Sequence, residues 1–175
     1  MRVFGATAFL VLVGAMPVLA AEMPSRKAGL WEIKMSFENR DAAGPAVQQC
    51  IDASTDQMML SGAGPLAQAA CAKRDVQKSG NTVTIDATCT LAGKTATSHS
   101  VITGSFDRAY TMTVTSQSDA LPGGSMTMTM EAKWLGACAA DQKPGDMIMA
   151  DGRKINIVDM QNMLPPNMRG AGQKK

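Results

Sequence analysis

The chain has 175 residues, of which 45% are hydrophobic, 18% are charged and only 4% are aromatic, and its formal net charge is +2. This length is enough for one domain with a hydrophobic core of its own. The near-neutral charge argues against a basic face that would neutralise phosphates, so we expect no nucleic-acid partner.

The first twenty residues have the pattern of a secretory signal peptide. Arg2 gives a positive start, an apolar stretch runs from Val3 to Ala15, and Pro17 interrupts it shortly before Ala20. Small side chains near the end of this segment suit signal peptidase, and cleavage after Ala20 is expected. Because the apolar run is shorter than the ~20 residues that span a bilayer, we expect a soluble, periplasmic protein with no stable membrane anchor.

A single β-rich domain is predicted over residues 29–158, after a short linker at 21–28 and before a C-terminal tail at 159–175. The end of the tail is rich in Gly, Pro and Lys, which is typical of a disordered end. The domain opens at 29–38 with strict alternation of apolar and polar residues, which indicates a half-buried strand. The apolar members are Trp31, Ile33, Met35 and Phe37.

A second strand and a helix follow. The strand ends at Cys50-Ile51, and residues 52–60 are predicted to be helical, with Asp52 or Ser54 as N-cap and Gly62 just after the end. We therefore expect one short helix after Cys50 in an otherwise β-rich chain.

From Lys73 onward, alternating segments are separated by turn signals, and each places apolar residues on one face and mainly polar residues, many of them threonines, on the other. These segments are 81–91, 95–106, 109–117 and 125–135. Consecutive strands with short turns form an antiparallel meander, so we predict a mainly β fold, either a curved sheet or an open barrel. Beyond Cys138 the pattern weakens, and only short elements are expected, at 147–149, 155–158 and 158–164.

The cysteine count indicates disulfides. The chain has four cysteines, at positions 50, 71, 89 and 138. An even count in an exported chain predicts two disulfides, for which three connectivities exist. A zinc site is the alternative, but no two of these cysteines lie within four residues of each other.

One connectivity is favoured by a hairpin. The turn signal Ser79-Gly80-Asn81 lies midway between Cys71 and Cys89, so the hairpin would bring these two together and leave Cys50 to pair with Cys138. Placing the two cysteines face to face would put the charged residues after Cys71 on the apolar side of the next strand. A bulge is therefore expected in this hairpin.

No cofactor is predicted. Residues 62–67 match the dinucleotide fingerprint in letters, but they follow a helix rather than a strand, and Pro65 lacks a backbone donor. Gly93-Lys94-Thr95 resembles the end of a phosphate-binding loop without its first glycine, and a hairpin turn is the better interpretation.

His99 is the only histidine, and it lies on the polar face of a predicted strand. Nucleophilic catalysis needs a base beside its nucleophile, and the chain has no G-x-S-x-G elbow. We interpret His99 as an exposed strand residue and expect a non-enzymatic protein. A hydrolase using His99 is an alternative, which would require a carboxylate or hydroxyl within reach of the ring.

Methionine is the feature that stands out. There are fifteen methionines against four Phe, two Trp and one Tyr, and Met126, Met128 and Met130 share one face of a predicted strand. Thioethers are soft ligands that suit Cu(I), so these three side chains are candidate metal ligands. The alternative, which we favour, is that methionine fills the core in place of aromatic residues.

A set of motifs resembles a known family. The motifs are Gly29-Leu30-Trp31-Glu32, Cys50-Ile51 before an acidic helix, Cys71, the hairpin from Ser79 to Cys89, and a Met/Thr strand leading to Gly136-Ala137-Cys138. Over residues 28–138 the chain resembles the bacterial exported family known as domain of unknown function 3617. The resemblance implies a periplasmic β-rich protein of a Gram-negative cell and implies no activity, cofactor or catalytic residue.

From this architecture we expect a binding protein. Curved antiparallel sheets often hold ligands on their inner face. The partner would be an apolar small molecule or another envelope component, and the expected lining residues are Trp31, Met112, Met128 and Trp134. Neither the identity of the ligand nor the oligomeric state follows from the sequence.

Overall fold

The computed structural model describes residues 23–38, 43–60, 71, 73–91 and 93–163. The predicted signal peptide, the fingerprint-like loop at 62–67 and the chain beyond Met163 lie outside the described residues. Within these ranges, neither helix has the length and hydrophobicity needed to cross a membrane.

In the described residues, nine antiparallel strands form one unclosed, curved sheet, which confirms the predicted mainly β fold. Two short helices and a 3-10 turn at Pro122–Gly124 complete the described elements. The strands are β1 (Gly29–Phe37), β2 (Val47–Ile51), β3 (Lys73–Ser79), β4 (Thr82–Leu91), β5 (Lys94–Ser105), β6 (Ala109–Gln117), β7 (Ser125–Gly136), β8 (Asp146–Ile148) and β9 (Lys154–Asn156). The helices are α1 (Ala53–Leu60) and α2 (Ile157–Met163).

The strand order is β3-β4-β5-β6-β7-β1-β2-β8-β9. Strands β3 to β7 form the predicted meander, and β1 adds to its end by pairing with β7. The first strand of the domain therefore lies in the interior of the sheet. Over residues 30–33, strand β1 has neighbours on both sides, and Trp31 and Ile33 in this part are among the most buried residues described, at 0% and 2% exposure.

One face of the sheet carries the core, as the alternation predicts. Residues opposite each other on neighbouring antiparallel strands share a face, so the register aligns the apolar side chains of β1, β7, β6, β5 and β4. The buried cluster consists of Trp31, Ile33, Ile51, Val83, Ile85, Ile102, Tyr110 and Ala132. The opposite face is lined mainly by threonine and charged residues.

Asp52, one of the two predicted N-caps, is the N-cap of helix α1. The Thr55 backbone N–H donates to Asp52 Oδ1 at 2.8 Å, and the Asp52 backbone N–H donates to Thr55 Oγ1 at 2.9 Å. These reciprocal bonds satisfy two donors at the helix start, in the manner of a capping box. The backbone bond from Thr55 is also the largest cause that lowers the pKa of Asp52.

The disulfides join Cys50 to Cys138 and Cys71 to Cys89, which is the connectivity that the hairpin favoured. The expected bulge is absent from the described ladder, since the pairing from Lys73 to Ser79 is regular and places Val76 opposite Ile85. Placing Cys71 directly opposite Cys89 would shift the register of β3 and β4 by one residue, and Val76 would then lie on the polar face. Burial of Val76 against the core decides the register.

Residues beyond Cys138 extend the sheet at the β2 side. Strand β8 pairs with β2, and β9 pairs with β8. Strand β9 ends earlier than predicted because Asn156 caps α2: its Oδ1 accepts hydrogen bonds from the backbone of Val158 and Asp159, at 3.0 and 3.2 Å. An asparagine in this role favours a helix start over a continued strand.

Candidate functional site

The four residues expected to line a ligand site lie on one face of the sheet. Trp31 on β1 is directly opposite Trp134 on β7, and Met128 on β7 is opposite Val114 on β6. Met112 lies on β6, on the same face. All four therefore share the apolar face that the alternation predicts, but they are divided between two ends of that face.

The end that contains the two tryptophans is closed. Trp31 is fully buried and its indole N–H donates to the Lys27 carbonyl at 2.8 Å. The indole N–H of Trp134 donates to the Ala28 carbonyl at 3.2 Å, and the Lys27 ammonium lies 3.7 Å from the centre of the Trp134 ring. Trp31 thus belongs to the core, and the segment just before β1 covers it.

That covering segment is anchored by a buried ion pair. Arg26 Nε donates to Asp56 Oδ1 at 2.6 Å, and the Arg26 backbone N–H donates to Asp56 Oδ2 at 2.7 Å. The two side chains are 3% and 1% exposed. Further contacts of the guanidinium reach Gln49 Oε1 at 3.0 Å and Met59 Sδ at 3.8 Å. The described part of the predicted linker, from Met23 onward, is therefore packed into the domain.

Tyr110 lies beside this pair. Its ring stacks on Phe106 with centroids 4.9 Å apart and lies 5.8 Å from the Trp31 ring. The hydroxyl has no hydrogen-bond partner among the described residues, and burial raises the pKa of Tyr110 while the charge of Arg26 opposes the shift. The closed end is therefore a core in which Trp31 is fully buried, and it is held by the Arg26–Asp56 pair, which we call the clasp.

The other end of the same face is open. We call it the methionine patch, and its members lie on β1, β6 and β7: Met35, Phe37, Met112, Val114, Met126, Met128 and Met130. Met35 and Met126 are 37% and 39% exposed, and the other five are half-buried. No member carries a charge, so the patch is a partly solvated apolar surface continuous with the core.

The patch contains a row of three methionines. Met130 on β7 lies directly opposite Met35 on β1 and Met112 on β6. Met126, Met128 and Met130, the three candidate metal ligands, do share a face of β7, as predicted. In the described part of the chain, no group of three or more His, Cys, Asp or Glu is placed to hold a metal ion.

His99 lies on the opposite, polar face and is paired. Its Nδ1 is 2.8 Å from Asp86 Oδ1, and both side chains are 55% exposed. Thr115 is opposite His99 on β6, but its hydroxyl lies 3.5 Å from the hydroxyl of Thr127. The carboxylate that the hydrolase alternative requires is thus present. Among the described residues, no hydroxyl is hydrogen-bonded to the ring.

Two open, polar clefts lie away from the methionine patch. A cleft of about 390 Å³ surrounds His99, and one of about 410 Å³ lies between α2, β9 and the chain after β7. None of the four residues expected from the sequence lines either cleft. Asp141, beside the second cleft, has its pKa lowered by a hydrogen bond from the Lys154 ammonium at 2.9 Å.

Sequence reasoning missed Arg26 and the Met35–Met130–Met112 row. Arg26 lies in a segment with no periodic pattern, and its partner Asp56 lies thirty positions later. The row depends on which strands are neighbours, and placing β1 beside β7 is a long-range pairing that alternation does not reveal.

The comparisons with known proteins identify a family and no function. A family described as "Protein of unknown function (DUF3617)" matches residues 26–138. The match begins at the buried arginine of the clasp and ends at a disulfide cysteine, so it contains β1 to β7 and α1. No curated protein and no solved structure matches the chain.

Proposed function

The chain belongs to the DUF3617 family, and from that premise we propose that it is an exported periplasmic protein that binds an apolar small molecule on its methionine patch. The single observation that carries the proposal is the division of one apolar face into a closed end and an open end. The closed end gives the sheet its stability, and the open end is free to bind.

Export is supported by the disulfides. Both pairs of cysteines are joined, and disulfides persist in oxidising compartments rather than in a reducing cytosol. The predicted signal peptide at 1–20 gives the route. Intact-mass analysis of the protein from a periplasmic extract should give a chain that begins at Ala21, with both disulfides formed. A full-length reduced chain in the cytosol would contradict this assignment.

Binding is supported by the chemistry of the patch. Methionine side chains are flexible and polarisable, so a surface built from them adapts to apolar partners of varied shape. Removal of water from the exposed parts of Met35 and Met126 favours association, at about 25 cal/mol per Å² of apolar surface. The uncharged lining excludes a strongly polar ligand, because its groups would lose water without gaining partners.

A non-enzymatic role is the simpler account of the polar face. Asp86 could orient His99 as a general base, but the hydrolase alternative also requires a hydroxyl or thiol nucleophile within hydrogen-bond reach of the ring. All four cysteines are in disulfides. We therefore assign His99 and Asp86 to a cross-strand pair on an exposed surface, where such pairs contribute little to stability.

The binding proposal is tested with the uncharged fluorophore N-phenyl-1-naphthylamine. We expect saturable fluorescence enhancement with the purified protein. Met128→Gln should weaken it by about tenfold, which corresponds to about 1.4 kcal/mol. The matched control is Thr129→Gln, at the next position of β7 but on the polar face, and it should leave binding unchanged. Absence of saturable binding, or equal loss in both variants, would contradict the proposal.

A further inference from the structure

We infer that Met35, Met112 and Met130 form a binding site for a soft monovalent metal ion, Cu(I) or its analogue Ag(I). The three residues lie directly opposite one another on adjacent strands, in the order β1, β7 and β6. They point to the same side of the sheet, and no charged side chain lies among them. The inference goes beyond the proposed function, since a metal ion is bound by sulfur lone pairs rather than by apolar surface.

The register makes this set a better site than three methionines along one strand. Side chains directly opposite each other on antiparallel strands have Cβ atoms about 4.5–5.5 Å apart. Met126, Met128 and Met130 are successive same-face residues of β7, so their spacing is about 6.5–7 Å. A methionine has three rotatable side-chain bonds, and over the shorter spacing three thioethers can converge on one ion.

The backbone beneath the row is fixed. Met130 is on a strand with partners on both sides, and Met35 is held next to the end of β2. There the Gly44 backbone N–H donates to the Met35 carbonyl at 2.7 Å. The ladder between β1 and β2 ends at Ile33 and Val47, so among the described residues no residue of β2 lies opposite Met35. The row therefore combines fixed positions with access from solvent, since Met35 is 37% exposed.

The donor set selects the type of ion. Thioethers are soft, uncharged ligands that suit Cu(I), whereas divalent ions such as Zn²⁺, Mg²⁺ or Ca²⁺ prefer imidazole, thiolate or oxygen ligands. All four cysteines are in disulfides, and the one histidine lies on the opposite face. Methionine sulfur is therefore the soft donor that this face offers.

This donor set has a pH signature. Cysteine and histidine must lose a proton to bind a metal, so sites built from them weaken in acid. A thioether carries no proton at any pH at which the protein is folded. The affinity of the methionine row for Cu(I) should therefore be the same at about pH 5.5 and about pH 7.5, whereas a site with a histidine ligand would weaken at the lower pH.

The test is an anaerobic competition titration of the purified protein with Cu(I) and a chromogenic Cu(I) chelator. We expect one ion per chain with a dissociation constant of about 1 μM or tighter, unchanged between the two pH values. Replacing the row with leucine (Met35→Leu, Met112→Leu and Met130→Leu together) should weaken binding at least about tenfold. Leucine keeps the apolar volume and removes the sulfur.

Two controls accompany the titration. The double variant Met160→Leu/Met163→Leu removes two exposed thioethers on α2, and His99→Gln removes the imidazole; both should bind like the parent. Should the triple variant fail to fold, Ag(I) added to protein labelled at the methionine methyl groups must shift the signals of these three residues, assigned from single leucine variants. Binding weaker than micromolar, an unaffected triple variant, or loss of binding in His99→Gln would overturn the inference.

Discussion

The tryptophan end and the methionine end of the same sheet face have the same alternating pattern and very different environments. At the first, Trp31 and Ile33 are almost completely buried; at the second, Met35, only two residues further along β1, is 37% exposed. The difference does not come from the strand. It comes from the covering segment and α1, which the Arg26–Asp56 pair holds over one end only.

This comparison shows how a sheet can combine a stable core with an available surface. A β-strand offers an apolar face along its whole length, but only elements packed on it remove that face from water. Here the cover stops short of the methionines. Large apolar surfaces left open on a folded domain commonly mark interaction sites, and flexible methionine side chains suit that use.

The largest expected effect would come from breaking the clasp. Asp56→Ala leaves the Arg26 guanidinium buried without its partner, which should lower the free energy of unfolding by about 3–5 kcal/mol. The double variant Arg26→Met/Asp56→Leu removes both charges and should cost far less. Urea denaturation measures both. A single variant as stable as the parent would show that the closed end does not depend on this pair.

The next largest effect is the difference in the free energy of unfolding between substitutions at two apolar positions of β1, Ile33 and Met35. Ile33→Ala removes a side chain that is 2% exposed and should cost about 2–5 kcal/mol. Met35→Ala, on the same face but in the open end, should cost about 1 kcal/mol or less, because much of that side chain is already in water. Equal losses in thermal or urea unfolding would contradict the distinction between the two ends.

The smallest effect concerns the N-cap of α1, which lies at the closed end. Asp52→Ala should cost about 1 kcal/mol at neutral pH. Because the folded-state pKa of Asp52 is lowered from 3.8, the carboxylate contributes its full stability above that value and loses it as the pH falls through the folded-state pKa.

Asp52→Asn is the matched control for the cap. Asparagine caps helices about as well as aspartate but does not titrate, so this variant should keep its stability at neutral pH and lose only the part of the acid dependence due to Asp52. Urea denaturation at about pH 7 and about pH 3 compares the parent with the two variants. An acid dependence that is the same in the parent and in Asp52→Asn would contradict the role of the carboxylate.

Local pattern was enough to predict most of the fold. The strands from residue 29 to residue 136, the helix after Cys50 and the face on which each strand is apolar all depend on periods of two or on caps, which neighbouring residues determine. The hairpin between Cys71 and Cys89 was also predictable, but its register was not. There, burial of Val76 outweighed direct alignment of the cysteines.

The candidate site was only half predictable, for a physical reason. The alternation of apolar and polar residues identified the four candidate residues Trp31, Met112, Met128 and Trp134. Which of these side chains is covered depends on the contact between Arg26 and Asp56, which lie thirty residues apart in the sequence. The methionine row likewise depends on β1 pairing with β7, about a hundred residues away. Neither contact leaves a trace in local composition.

The most direct test of the central claim is hydroxyl-radical footprinting of the purified protein, with and without N-phenyl-1-naphthylamine. Methionine, tryptophan and tyrosine side chains all react readily with hydroxyl radicals when they are exposed. One measurement therefore reports the exposure of both ends of the face. We expect Met35 and Met126 to be modified in the free protein and protected by the fluorophore, while Trp31 and Tyr110 stay unmodified in both samples. Modification of Trp31 in the free protein, or a methionine patch that the fluorophore leaves unprotected, would contradict the central claim.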